Sequence, residues 1–276
     1  MQSLFLPIII LAIVQAITEF LPVSSSGHLV IIQNFGFFDD IFSAETELFI
    51  DILLHVATLI AVIIYLRKDI ASIIKGFFKS ALQRDFSSPE VIIARNILAA
   101  SVPAGIAGVL LNDFLKQFYV SLLPVFVFLI INGIILISTK KIPIKNRKIE
   151  EMSIIRSLMI GFLQAVAILP GISRSGMTIT GGLLGGLAPN DSAKFSFLMA
   201  IPVIAGAGLL EALKAADGAI PAEVFPPLLA AMVIAVAVAL VSLKVLFAVV
   251  RQVRINVFGY YTIFVGLAGI IYLALK

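Results

Sequence analysis

The chain has 276 residues, 61% of them hydrophobic and only 13% charged, with a mean hydropathy of +1.13. So little polar surface cannot cover a water-soluble globule, and a polytopic membrane protein is expected. The net charge of +4 sits in short connections between apolar runs, a pattern that orients a membrane protein and points away from nucleic acid; the absence of cysteine excludes a disulfide framework, a thiolate metal site and a cysteine nucleophile.

In chain order, residues 4–14 form the first apolar run. No basic segment precedes it and no small-residue cleavage site follows, so it is expected to stay in the mature protein rather than leave as a signal peptide. Residues 4–17 make a short arm that breaks at Leu21-Pro22, passes through Ser24-Ser25-Ser26-Gly27 and resumes, which predicts a re-entrant helical hairpin over about 3–38. Stretches 48–66, 92–111 and 118–139 are long enough to cross a bilayer, which takes about 20 helical residues. A second broken arm, 154–169, stops at Leu169-Pro170 and resumes beyond Ser173-Arg174-Ser175-Gly176, predicting a second hairpin over about 154–188. Three further spans follow at 195–213, 225–250 and 256–275. The expected fold class is an all-α integral membrane protein with six transmembrane helices and two re-entrant hairpins, forming a single membrane domain over 1–276 with no separate soluble unit. Broken backbone is tolerated at membrane depth only where protein or a water-filled cavity satisfies it, so both turns are expected to line a cavity.

Basic residues set the orientation. Arg67, Lys68, Lys75, Lys79, Arg84 and Arg95 fall in or beside one loop, Lys140, Lys141, Lys145, Arg147, Lys148 and Arg156 in another, and Lys244, Arg251 and Arg254 mark a third. These loops are expected in the cytoplasm, and Asp39, Asp40, Glu45, Glu47, Asp113, Asp217 and Glu223 outside. Three spans per half invert the second half relative to the first, giving repeats 1–140 and 150–276 whose turns approach each other from opposite faces near mid-membrane. The duplication is also written in the residues. Gln15-Ala16 and Ser24-Ser25-Ser26-Gly27 recur as Gln164-Ala165 and Ser173-Arg174-Ser175-Gly176 at one fixed offset, and Leu-Pro recurs one residue short of it.

Ionisable groups at membrane depth are costly and usually face a bundle interior or a pathway. Glu19 and His28 flank the first turn, either as a buried pair that fixes the hairpin or as chemistry. Ser25 and His28 are close enough for a turn to pair hydroxyl with imidazole, as a nucleophile and its general base require, although Ser and Gly also simply make turns. Arg174 cannot shed its proton and calls for an anionic partner. That partner is either a phosphate, with Ser173, Ser175, the backbone around Gly176 and Thr178 as further donors, or Glu19, and the two can alternate. Gln15 lies one helical turn before Glu19, so the two share a face that can offer oxygens to a divalent cation, water and substrate phosphate completing its shell. Gln164 reads as an echo of Gln15. His55, on the same helical face as Asp51, reads as a cavity-lining or packing residue. Gly181-Gly182 and Gly185-Gly186 let helices approach closely, and no nucleotide-binding loop is present.

Glu19-Phe20-Leu21-Pro22-Val23-Ser24-Ser25-Ser26-Gly27-His28 with Pro170-Gly171-Ile172-Ser173-Arg174-Ser175-Gly176 closely resembles the undecaprenyl-diphosphate phosphatases, also called bacitracin-resistance proteins, over nearly the whole chain. The resemblance implies a multi-pass enzyme of the bacterial inner membrane that hydrolyses undecaprenyl diphosphate to the monophosphate and inorganic phosphate. This recycles the lipid carrier of peptidoglycan and cell-wall synthesis and confers bacitracin resistance. It implies a catalytic set of Ser25, His28, Glu19 and Arg174. Phosphate is then held by Arg174, Ser26, Gly27, Ser173, Ser175, Gly176 and Thr178. A divalent cation, Mg²⁺ or Ca²⁺, would sit on Glu19 and Gln15, where some members carry two glutamates. Ser25 as nucleophile with His28 as base then acid is the preferred assignment, and a phosphohistidine at His28 competes with it. An outward-opening pocket follows from the entry side of the first hairpin, while oligomeric state stays open, a homodimer included.

Two other classes compete. Inverted repeats with broken hairpins also build secondary transporters, so a polyprenyl-phosphate transporter or flippase is the alternative, alone or combined with phosphatase activity. The other large class of membrane lipid phosphatases needs a second catalytic histidine after its late arginine, and this chain has no histidine beyond His55.

Overall fold

Serine side chains open four of the helices: Ser24, Ser43, Ser153 and Ser173 each accept a hydrogen bond from the backbone N–H three residues on, satisfying one of the donors a helix start leaves free. The computed structural model describes residues 2–34, 43–111, 114, 117–118, 121–216 and 220–276. Its helices are α1 (Gln2–Thr18), α2 (Ser25–Gln33), α3 (Ala44–Tyr65), α4 (Arg67–Gln83), α5 (Pro89–Leu110), α6 (Leu122–Ser138), α7 (Ile154–Val166), α8 (Arg174–Leu184), α9 (Pro189–Ala216), α10 (Phe225–Arg251) and α11 (Val257–Leu275). Among the described residues there is no strand, only an isolated bridge between Arg147 and Leu187.

Among the described residues six helical segments are long and apolar enough to cross a membrane: Glu45–Tyr65, Pro89–Leu110, Leu122–Lys141, Pro189–Leu210, Ala222–Arg251 and Val257–Leu275. Each coincides with an expected span, so the chain is an all-α, multi-pass membrane protein. Asp39, Asp40, Asp113 and Asp217, and the 35–38 end of the first expected hairpin, lie outside the described residues.

One expectation changes. The basic segment after the first span is not a loop but the helix α4 with the start of α5, because Ile70, Ile73, Ile74, Phe77, Phe78 and Leu82 recur at helical spacing.

Glycine lets the spans close on one another. Gly133 of α6 and Gly259 of α11 each face the other's carbonyl, and Gly266 packs on Phe126, so the last span lies tightly along α6. Gly161 of α7 sits against the backbone of Ala100 in α5 in the same way. The main core joins α1, α3, α9 and α10 through Leu11, Phe20, Leu54, Phe197, Leu243 and Phe247, all buried. These contacts hold the two short broken pairs, α1 with α2 and α7 with α8, so that their turns meet.

Candidate active site

Proline ends the first arm. After α1 the chain turns through Leu21 and Pro22, and Ser24 starts α2 from a left-handed backbone conformation, φ 71°, that non-glycine residues rarely adopt. The second turn needs φ 107° at Gly171, where a side chain would also run into the backbone of Val125 and Leu129 in α6. The two turns touch directly. The Gly171 N–H donates to Ser24 Oγ at 3.0 Å, and a side chain on Gly27 would press tightly on the Gly171 backbone. Asn132, buried in α6, clamps both: its Nδ2 donates to the Pro22 carbonyl and its Oδ1 accepts from the Ser173 N–H, each at 3.0 Å.

Glu19 is the hub. It is 7% exposed, and Oε1 accepts from Arg174 Nη2 at 2.5 Å while Oε2 accepts from Ser25 Oγ at 2.6 Å and from Gln15 Nε2 at 3.0 Å. His55 Nε2 lies 3.5 Å from the same Oε2, its ring held by a 2.7 Å hydrogen bond from Nδ1 to the Asp51 carbonyl one turn earlier in α3. A charge-assisted pair from opposite halves of the chain thus bridges the turns, and the arginine also lies over the Phe197 ring, 5.8 Å from its centroid.

Beside this pair is a cavity of about 270 Å³. Its polar wall holds Glu19, His55, Gln164, Arg174 and the serines Ser24, Ser25, Ser26 and Ser173; the rest is aliphatic, including Ile52, Ala104, Ile172, Val203 and Ile204. Ser24 to Ser26 and Ser173 to Arg174 are the starts of α2 and α8, so two helix N-termini border one space, an arrangement that favours an anion. Arg174 Nη1, Gln15 Oε1 and both amide atoms of Gln164 are buried without a hydrogen-bond partner.

The structure brings only some of the expected residues to this cavity. Ser25, Ser26, Glu19, Ser173 and Arg174 line it. Gly27 and Gly176 do not: each N–H is taken by the capping serine three residues before, and both glycines serve close packing of the turns. Ser175 bonds Ser173, and Thr178 bonds the Arg174 carbonyl and Ser196, both fully buried.

His28 is also elsewhere. Its Nδ1 donates to the Ser24 carbonyl at 2.8 Å, its Nε2 meets the Tyr261 hydroxyl at 2.8 Å, and the two rings stack 5.7 Å apart. The expected Ser25–His28 pair is therefore not formed: Ser25 Oγ is taken by Glu19, and both ring nitrogens of His28 are engaged by the Ser24 carbonyl and Tyr261 of α11. The imidazole on the cavity is that of His55. Sequence reasoning read His55 as a cavity-lining or packing residue without connecting it to Glu19, and it passed over Asn132 and Tyr261 entirely.

The chain is similar in sequence to known proteins over most of its length. A family model described as bacitracin resistance protein BacA matches residues 8–268. An undecaprenyl-diphosphatase of Methanosphaera stadtmanae is 36% identical, with 95% of this chain and 96% of that protein covered. One of Treponema denticola is 35% identical over 96% of both chains, and one of Thermosipho melanesiensis is 43% identical over 74% of this chain and 76% of its own.

Proposed function

This chain belongs to the bacitracin resistance protein BacA family, and from that premise we propose that it hydrolyses undecaprenyl diphosphate to undecaprenyl phosphate and inorganic phosphate. The lipid carrier of cell-wall synthesis is thereby recycled, and removal of the diphosphate confers bacitracin resistance. The observation that carries the mechanism is the 2.6 Å hydrogen bond from Ser25 Oγ to Glu19 in a cavity that also holds Arg174. Nucleophile, base and cation stand together, as covalent phosphoryl transfer requires.

In the first step Ser25 Oγ attacks the terminal phosphorus and passes its proton to Glu19. The Oγ–P bond forms, the bridging P–O bond breaks, and the lipid monophosphate leaves. Water then attacks the phosphoserine, the P–Oγ bond breaks, Glu19 returns its proton to Ser25, and the protons of the water leave with inorganic phosphate. Arg174 holds Glu19 through Nη2 and offers the unpaired Nη1 to a phosphate oxygen, where stabilisation of the spread charge counts most. Ser26 and the N-termini of α2 and α8 supply further donors around the same oxygens. His28 keeps the start of α2 in place through Ser24 and Tyr261.

A divalent cation fits through Glu19 and Gln15, since Gln15 Oε1 is a buried oxygen without a partner beside the carboxylate. Among the described residues no group of three or more His, Asp or Glu side chains is placed to hold one alone. When bound, such an ion would neutralise phosphate oxygens, with water and substrate completing its shell.

The site opens outward in this reading. The cavity residues Ile52, Ala104 and Ala207 lie in the halves of α3, α5 and α9 away from the basic connections, and basic connections mark the cytoplasmic side of an inner membrane. Spans α3, α5 and α6 separate the broken pairs, an odd number, so α1–α2 and α7–α8 are re-entrant hairpins of opposed repeats that meet at the cavity. Purified protein in detergent is expected to release phosphate from undecaprenyl diphosphate. Ser25→Ala is expected to abolish release while the protein stays folded; full activity in that variant would overturn the assignment.

A further inference from the structure

The helix α4 has a surface that neither the fold nor the reaction uses. It turns three faces outward from its axis. Ile70 and Ile73 pack on the main core, Ser80 is buried, and Gly76 sits against Glu90 at the start of α5, so one face belongs to the protein. Asp69 on the same side is tied to Lys194 of α9 at 2.6 Å. A second face carries Ile74, Phe78 and Leu82, four residues apart and therefore in line, and these are 50%, 64% and 87% exposed. Phe77 stands edge-on to Phe78 and widens the strip, and Phe86 just beyond the helix is 69% exposed.

Beside this apolar strip runs the third face, with Lys68, Lys75 and Lys79 all exposed, and among the described residues none of the three has an ion-pair partner. Both ends of α4 are fixed in depth. The membrane-spanning α3 ends at Tyr65, with only Leu66 between it and α4, and α5 enters the membrane from Pro89, so α4 cannot lie far from the bilayer surface.

An apolar strip and a lysine strip side by side, on a helix held at that depth, match a bilayer boundary: acyl chains on one side, anionic headgroups on the other. A second copy of this chain would satisfy the apolar strip but bring three more lysines to the same edge, which like charges oppose. We infer that α4 is an interfacial helix that binds the anionic phospholipids of the leaflet on the basic, cytoplasmic side, and so fixes the depth of α3 and α5, whose opposite halves line the cavity. The inference stands on α4 alone and does not depend on the chemistry proposed for the cavity.

The chain has no cysteine, so a single introduced one takes a spin label cleanly. Phe78→Cys and, on the opposite face, Gln83→Cys would be labelled in the full chain and placed in nanodiscs of phosphatidylcholine alone or with phosphatidylglycerol. Collisions with oxygen report acyl-chain depth, and collisions with a water-soluble nickel complex report exposure to water. The label at 78 is expected to favour oxygen and that at 83 nickel, with phosphatidylglycerol deepening the label at 78. Neutralising Lys68, Lys75 and Lys79 together to Gln should remove the phosphatidylglycerol effect, each lysine accounting for about a fivefold preference for anionic lipid. Equal nickel access at both positions would overturn the inference. So would a phosphatidylglycerol effect that survives the triple change, or protection at 78 that depends on protein concentration and thus reports a second copy.

Discussion

Glu19→Gln tests the hub of the site with the least change of shape. In the protein as it stands all the hydrogen bonds to this side chain are donated to it, by Arg174, Ser25 and Gln15. A carboxamide has one oxygen and one N–H₂, so whichever way it turns, an N–H₂ meets a donor and either Arg174 or Ser25 loses its acceptor. Two separable effects follow. The base for Ser25 is gone, which is expected to lower kcat by about 10²–10⁴-fold. The partly buried Arg174, its side chain 17% exposed, also loses its counter-charge, which is expected to cost up to about 3 kcal/mol of stability. Initial rates of phosphate release from undecaprenyl diphosphate and thermal unfolding in the same detergent measure the two. Adding Arg174→Met to Glu19→Gln replaces the orphaned charge by an apolar chain, so stability should recover in the double variant while activity stays lost. A Glu19→Gln enzyme that keeps more than about a tenth of its kcat would refute the assignment of Glu19 as base, since general-base catalysis contributes at least about 10²-fold.

Three further outcomes are expected. Tyr261→Phe removes one hydrogen bond from His28; it should cost about 1 kcal/mol and lower kcat less than tenfold, whereas loss of a working base would lower it by about 10²-fold or more. Asn132→Leu leaves the Pro22 carbonyl and the Ser173 N–H unsatisfied; at about 1–3 kcal/mol for each stranded group, the melting temperature and phosphate release should fall together. Gln164→Leu replaces a buried amide without a partner by an apolar chain of similar size, so the empty protein should be as stable or up to about 2 kcal/mol more stable; a clear drop in melting temperature would show that the amide is satisfied after all.

The membrane spans were legible because bilayer-length apolar runs can be read one segment at a time, and the duplicated motif drew attention to Glu19, Ser25 and Arg174, which line one cavity. Pairing across the chain was not legible. Ser25 and His28 are neighbours in sequence, yet the hydroxyl pairs back to Glu19 at the end of the first arm and the imidazole pairs with Tyr261 of the last span. His55 reaches Glu19 only because α1 and α3 pack together, and the sign available beforehand was its position one turn after Asp51, whose carbonyl locks the ring. Asn132 carried no local signal beyond being a polar residue in an apolar span. In α4 the charges hid a pattern that was present: Ile70, Ile74, Phe78 and Leu82 repeat every four residues, but a segment rich in lysine reads first as a loop.

The central claim is that Ser25, activated by Glu19, carries the phosphoryl group. Rapid quenching of the enzyme with undecaprenyl diphosphate, followed by mapping of the phosphorylated residue by mass spectrometry under conditions that preserve both phosphoserine and phosphohistidine, tests it directly. Phosphate on Ser25, absent from the Ser25→Ala variant, is the predicted result, and phosphate on His28 or His55 would contradict it.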